Sequence, residues 1–555
     1  MNEQRDAAIR IHTSLAWHRR DLRLHDNEIY HKVPHRIVSL YVINPADYQP
    51  RPCGAQTTLE TVTVGPHASR ALVHALTNLR QNLRLRGGDL VIRRGDPLLV
   101  IPEFVREINA DSIVWSQEPG SYEQRISHEL AKLLRPTTCV HTVMGYTLHH
   151  PDDLPRDEET WNALARPKEK RKKRPEAHDF DTTKTVSQEP DSGPHTLVNV
   201  STKRLTGLPR IMGDFRRAAR TAASVRPCLD APTAETLLSI NGLDPGELPT
   251  LQELTAAYKK RSLFGLPSTV ISNIVDCAQD RMDSDCTGGE TFAIEQLYDF
   301  VQHHAATANR SLADVSNHQS AHTSTALATG ALSARQIYWR AIAEPGCEWL
   351  VSHMEMRDYF IYTTLAADHH MFRLRGQKLP AKLQEWKAVQ DHMESFTRWA
   401  LGETKLPLVD AGMRELTQTG YCSNRVRQNM ASVLAKDLQL DWRVGAEWFQ
   451  FCLQDHCVAA NWGNWQYFGG VGNDPKNRHF RTVSQAIRYD PDGQYVQKWL
   501  PALEAVAARE TLYRPWVFLS DWDNPIVDPA TQLTWQDGQR LEETGNLLVG
   551  DDGTE

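Results

Sequence analysis

Five short apolar runs in the first 150 residues constrain this chain more than any other feature: Leu15-Ala16-Trp17, Ile37 to Ile43, Leu90-Val91-Ile92, Ile113-Val114-Trp115 and Val140 to Val143. Each is strand-length, and the stretches between them are long enough for helices. Between the second and third runs, Ala71, Leu72, Ala75, Leu76, Leu79 and Leu83 recur at helical spacing. Such an alternation buries its apolar surface as a parallel sheet covered by helices. The expectation is an α/β domain with a doubly wound parallel sheet over residues 9–150.

The pattern then changes twice. From about Asp152 to Leu208 the periodicity is lost, and the basic run Lys168, Lys170, Arg171, Lys172, Lys173 and Arg174 precedes a Ser/Thr/Pro/Asp-rich stretch. This reads as a long mobile insertion in a linker spanning residues 151–235. The basic run fits a nuclear import signal and a solvated charged loop equally well. Beyond about Asp230 helical patterns dominate: Val426, Met430, Val433 and Leu434 share one face, Val444, Trp448, Phe451 and Cys452 another. A larger all-α domain is expected over residues 236–515, then a polar, acidic tail over 516–555 that frays.

Composition excludes several classes. A mean hydropathy of -0.50 and the lack of a long apolar run exclude membrane-spanning helices. The start, Met1 to Arg10, has no apolar signal region, so an intracellular setting is expected, in cytoplasm, nucleus or both. Nine cysteines without paired metal spacing read as reduced thiols, and His369 and His370 lack a ligand partner at metal spacing, so no metal site is expected. A net charge of -7 argues against a globally basic nucleic-acid binder, though a local basic groove could still meet phosphates. No phosphate-binding Walker loop, nucleophile elbow or strand-linked dinucleotide fingerprint is present.

The densest unusual stretch is Asn461-Trp462-Gly463-Asn464-Trp465-Gln466-Tyr467-Phe468-Gly469-Gly470-Val471-Gly472-Asn473-Asp474-Pro475. Its glycines let indoles and amides pack closely. Such a loop suits a planar aromatic cofactor, stacked on rings and read at its edge by amides; it equally suits a glycine-aromatic corner in a core.

Four segments in chain order resemble the cryptochrome/photolyase family: Trp17 to Asn27 (WHRRDLRLHDN), Leu406 to Leu416 (LPLVDAGMREL), Ser423 to Asn429 (SNRVRQN), and Asn461 to Pro475. The last resembles the DASH branch in particular. The resemblance spans both expected domains, but not residues 156–208 or the last few. It implies FAD in the helical domain and an antenna pigment in the α/β domain, commonly a folate such as 5,10-methenyltetrahydrofolate, with Glu123 near the family's folate contact. Ser320, Thr323 and Ser324, followed by Ala328-Thr329-Gly330, resemble the family's diphosphate loop. By the same match Asn424 belongs to the cofactor-binding set, Asn461 faces flavin N5, and Arg427 and Asp455 form an ion pair beside the ring. Cys457 replaces a second family Asp. Trp465 and Trp442 match the family's inner electron-relay tryptophans. The outer relay position falls on Val389; either Trp386, about one helical turn earlier, substitutes for it or the relay is cut short.

Departures from the family bear on activity. Where the family has a Glu and then a Trp before Arg-Asp-Tyr-Phe, this chain has His353 and Met356 before Arg357-Asp358-Tyr359-Phe360. Those positions, with Tyr467, would meet a damaged pyrimidine pair, so a carboxylate and a stacking surface are lost. The leading reading is therefore a FAD-dependent blue-light receptor with Trp-mediated photoreduction and signalling partners the sequence does not name. Its rival is a photolyase acting on pyrimidine dimers in single-stranded DNA. A binding module that has lost FAD is disfavoured by Ser320, Ser324, Arg427 and Asn461.

Overall fold

The computed structural model describes residues 12–33, 36–54, 56–165, 207–240, 242–282, 288–306, 308, 320–377, 385–474 and 478–548. All five apolar runs form strands. β1 (Thr13–His18) and β2 (Arg36–Ile43) precede a short antiparallel hairpin, β3 (Arg51–Cys53) and β4 (Gln56–Thr61). β5 (Leu90–Arg94), β6 (Ser112–Ser116) and β7 (Cys139–Val143) follow. The five longer-range partners make one parallel sheet in the order β5-β2-β1-β6-β7, with Leu15 of β1 opposite Val38 and Ile113. The winding reverses between β1 and β6, so a crevice opens at the carboxyl ends of those two strands, where such sheets take ligands. The helix Pro66–Arg84 covers one face with Ala71, Ala75, Leu76, Leu79 and Leu83 buried.

Beyond the sheet the chain is helical. The helices Asn424–Ser432, Trp442–Cys452 and Val458–Gly469 pack together, and Val444, Trp448, Phe451 and Cys452 are all fully buried. A π-helical turn, Val433–Asp437, ends the first of the three. Two expectations need correcting. Part of the supposed insertion is folded: Glu158–Ala165 is a helix whose Trp161 is fully buried and stacks on Phe215 at 5.8 Å. Residues 166–206, including the basic run, lie outside the described residues. The tail does not fray over 516–548: it contains the helix Trp535–Thr544, and Gln532 and Leu547 are fully buried, with Gln532 Nε2 donating to Asp437 Oδ1 at 2.8 Å. Residues 549–555 lie outside the described residues.

Buried polar contacts join the sheet to the helices. Arg335 pairs with Asp26 at 2.8 Å and Glu28 at 3.0 Å. Asp358, on the helix Glu348–Ala367, accepts the backbone N–H groups of Leu148 (2.9 Å) and His149 (2.8 Å) just beyond β7. Gly330, which ends the short helix Ser324–Thr329, takes φ 77°, and a Cβ there would lie 2.1 Å from the Arg20 carbonyl, so only glycine lets the loop after β1 rest on that helix end.

Candidate cofactor site

Three elements bring charged and aromatic groups to one place. The helix Asn424–Ser432 supplies Arg427, the turn before Val458–Gly469 supplies Asp455, and residues 320–323 lead into the short helix Ser324–Thr329. Arg427 Nη2 donates to Asp455 Oδ2 at 2.8 Å, its Nε donates to the Cys422 carbonyl at 2.8 Å, and its guanidinium lies over the Tyr421 ring at 5.6 Å. Burial opposes the Arg427 charge, but Asp455 and the neighbouring groups together outweigh it and raise the guanidinium pKa. His322 packs its ring on Tyr421 at 4.9 Å, and its N–H donates to Ser320 Oγ at 3.3 Å.

Two buried oxygens at this place have no hydrogen-bond partner among the described residues: Asp455 Oδ1 and Ser324 Oγ. Unsatisfied buried acceptors and hydroxyls are costly, so their grouping fits a polar ligand with donors and acceptors along it. Asn461 is buried and gives its Nδ2 to the Ala446 carbonyl at 2.9 Å, which leaves the side-chain oxygen as its presenting end. Thr323 caps Ser324–Thr329 without a side-chain bond, and Cys457 caps Val458–Gly469 while packing into the cluster that holds Tyr146 and Met356. Asn424 opens its helix but is exposed. These residues fit a flavin dinucleotide: hydroxyls for the diphosphate, and an amide and a fixed ion pair for the ring.

The tryptophans lie behind this site. Trp465, one helical turn after Asn461, is 2% exposed and contacts Trp399 at 6.2 Å and Phe449 at 5.0 Å. Gly445 permits that fit, since a Cβ there would lie 2.3 Å from the Trp465 ring. Trp442 is fully buried, contacts Trp462 at 5.8 Å and donates its Nε1 to the Leu374 carbonyl at 3.1 Å. Half-buried Trp386 precedes Lys387, which bridges to Leu440 two residues before Trp442. Val389, at the family's outer relay position, is buried.

The residues expected to meet a substrate are arranged less favourably. His353 is exposed and lies edge-on to Trp349 at 5.2 Å, whereas Met356 is half-buried and packs against the apolar cluster that includes Tyr146 and Tyr359. Tyr467 is half-buried under the Arg478 guanidinium at 5.5 Å, and burial with nearby Asp474 pushes its hydroxyl up to about 12. The sequence reading missed Glu355. This carboxylate lies between His353 and Met356 in sequence but points elsewhere: it is 1% exposed and held by Arg216 Nε at 2.7 Å and Arg220 Nη2 at 2.8 Å, both from the helix Met212–Ala222. It therefore does not replace the missing family Glu. His322 was missed too, although its place among Ser320, Thr323 and Ser324 was a usable signal.

At the sheet's crevice, Arg20 Nη1 donates to the His456 carbonyl at 2.8 Å, while its Nε lies 3.8 Å from Glu118. Burial pushes Glu118 up against the pull of Arg20, and burial with nearby Glu123 pushes Asp47 up to about 6. The crevice thus adjoins the turn that carries Asp455 and Cys457.

A parallel sheet joined to a helical cofactor domain places the chain in the photolyase class, and comparison with known proteins agrees. Residues 14–187 match the family model described as DNA photolyase, and residues 349–535 the one described as FAD binding domain of DNA photolyase. The chain is 33% identical over 550 residues to a cryptochrome DASH of Gloeobacter violaceus, covering 93% of each. To a cryptochrome DASH of Danio rerio it is 31% identical over 516 residues, covering 90% of this chain and 84% of the other. The structure of a Synechocystis cryptochrome superposes with a TM-score of 0.71 at 29% identity, covering 96% of this chain and 98% of that one. A class III photolyase of Agrobacterium tumefaciens, at 23% identity and a TM-score of 0.69 over 95% and 97% of the two chains, shares the fold. The chain belongs to the cryptochrome DASH family.

Proposed function

We propose that this chain is a FAD-dependent blue-light receptor that undergoes tryptophan-mediated photoreduction. The observation that carries it is the placement of buried Trp465 one turn beyond Asn461, on the helix that borders Asp455 and its Arg427 partner. FAD, when bound, supplies blue-light absorption and accepts an electron. The chain holds it with Ser320, Thr323, Ser324, the Asn461 amide and the Arg427–Asp455 charges, and offers oxidisable indoles in Trp465 and Trp442. Trp386, beside the segment leading into Trp442, continues them outward.

A folate such as 5,10-methenyltetrahydrofolate is the proposed antenna, supported by the crevice between β1 and β6 with Glu123 at its rim. Single-stranded DNA is the proposed nucleic-acid partner, because Tyr467 and Arg478 pair a ring with a cation, the combination that holds unpaired bases and phosphates. Efficient repair is disfavoured by exposed His353, packed Met356 and captured Glu355. Signalling then falls to protein partners. Among the described residues no helix is long and apolar enough to cross a membrane and no metal cluster is present.

Absorption spectra of the purified protein before and after denaturation test the cofactors, since released FAD and any second pigment then absorb separately. Trp465→Phe tests the relay: the flavin should stay bound while blue-light bleaching of its band slows at least tenfold. Undiminished bleaching in that variant refutes the relay assignment, and a colourless protein that resists reconstitution with FAD refutes the receptor.

A further inference from the structure

We propose that His322 is a proton-dependent counter-ion for the FAD diphosphate, so that this chain holds FAD more tightly as pH falls. The proposal rests on reading residues 320–324 as the diphosphate loop. His322 sits in the middle of that loop with φ 47°, in the left-handed region that is uncommon for non-glycine residues. Two contacts hold the residue there: its backbone N–H donates to Ser320 Oγ (3.3 Å), and its ring packs on Tyr421 (4.9 Å). The imidazole thereby rests on Tyr421, whose ring also faces the Arg427 guanidinium, while the His322 backbone is tied to Ser320 at the entry to the helix Ser324–Thr329.

The groups around the ring leave its charge unmatched. From the turn before Val458–Gly469 comes Asp455, whose Oδ2 already serves Arg427 at 2.8 Å. From the helix Asn424–Ser432 comes Arg427 itself, a cation. From the turn before that helix come Tyr421 and Cys422, both pushed up to about 12 by burial and therefore neutral. Burial lowers the His322 pKa and Asp455 only partly restores it, so the empty site favours neutral imidazole. A diphosphate brings two negative charges to the loop, which favours imidazolium. Binding then takes up one proton, and affinity changes by about tenfold per pH unit between the pKa values of the free and bound states. A second group titrates nearby. Glu415, pushed up to about 7 by burial against its bond from Tyr495, lies close enough to influence Arg427 and Tyr421. Its effect does not depend on residue 322, so substitution separates the two.

The experiment measures FAD affinity of the apoprotein by quenching of flavin fluorescence between about pH 6 and pH 8, the range in which histidine titrates. Wild type should tighten by about tenfold per unit as pH falls over part of this range. His322→Gln should bind more weakly with that slope removed, and His322→Lys should bind tightly with a flat profile. A flat wild-type profile, or an unchanged slope in His322→Gln, overturns the proposal and leaves the cofactor reading standing. Failure of wild type to bind FAD at any pH overturns both.

Discussion

Arg427 shows how one side chain can serve stability and cofactor together. Its guanidinium spans the Asp455 carboxylate, the Cys422 carbonyl and the Tyr421 ring, and Asp455 is 3% exposed. Removing the cation strands a buried carboxylate, which costs about 3–5 kcal/mol when one partner of a buried pair is lost. Arg427→Ala should therefore lower the melting temperature and yield protein largely stripped of flavin after gel filtration. Arg427→Lys keeps the charge but not the planar fork, so an intermediate flavin content is expected. Full flavin retention in Arg427→Ala would show that the pair is structural only. This pair could be read from the sequence because family motifs carry it. Glu355 could not: nothing in the helix Glu348–Ala367 sets this carboxylate apart from Glu348 and Asp358, or announces two arginines arriving from residues 216 and 220.

The elements that were legible are those whose burial is complete. β1, β2, β5, β6 and β7 are buried on both faces for most of their length, so each appears as a mainly apolar run with few polar residues, such as Ser39 in β2 and His141 and Thr142 in β7. The β3–β4 hairpin, with Pro52 and a row of threonines, and the helix Glu158–Ala165, anchored by Trp161, bury too few side chains to leave a period. Residues 516–548 are held by scattered anchors such as Trp522, Gln532 and Leu547, whose spacing has no regular period. A polar anchor of this kind also governs how the helix Glu348–Ala367 meets the sheet domain. Asp358 is fully buried, and burial raises its carboxyl to about 7 despite the N–H bonds from His149 and Leu148. An unfolded aspartate titrates near ~3.9, so the folded chain holds an extra proton between the two values. Its contribution to stability is present at low pH and is lost as pH rises through about 7, with a slope of up to ~1.4 kcal/mol per pH unit. Asp358→Asn cannot titrate. Urea denaturation at pH 5, 6 and 7 should show a shallower decline for the variant than for wild type, offset by about 1 kcal/mol for a lost N–H bond. Parallel pH profiles would mean that Asp358 stays ionised throughout.

At the scale of the whole molecule, one helix decides between receptor and repair enzyme. Glu348–Ala367 touches the sheet domain through Asp358, the helix Met212–Ala222 through Glu355, and the packed cluster around Tyr146 through Met356. The face on which an extruded pyrimidine pair would rest thus has a methionine already packed against the protein's own apolar cluster, and a histidine in place of a carboxylate. A lost aromatic stack costs about 1–3 kcal/mol per base, so dimer-containing single-stranded DNA should bind this chain one to two orders of magnitude more weakly than it binds a variant with the stack restored. The variant His353→Glu/Met356→Trp restores both groups while Glu355 stays locked by its arginines. An indole at 356 must fit against the cluster on which Met356 packs, so FAD content is checked first to confirm that the site survives. Both proteins are then illuminated with blue light and reductant on dimer-containing single-stranded oligonucleotides. Tighter binding with turnover in the double variant, and little in wild type, is the outcome expected of a receptor whose electron supply is intact but whose substrate surface has been filled. Efficient splitting by wild type would overturn that reading and assign the chain to repair, with His353 supplying the polar contact that the family's Glu makes elsewhere.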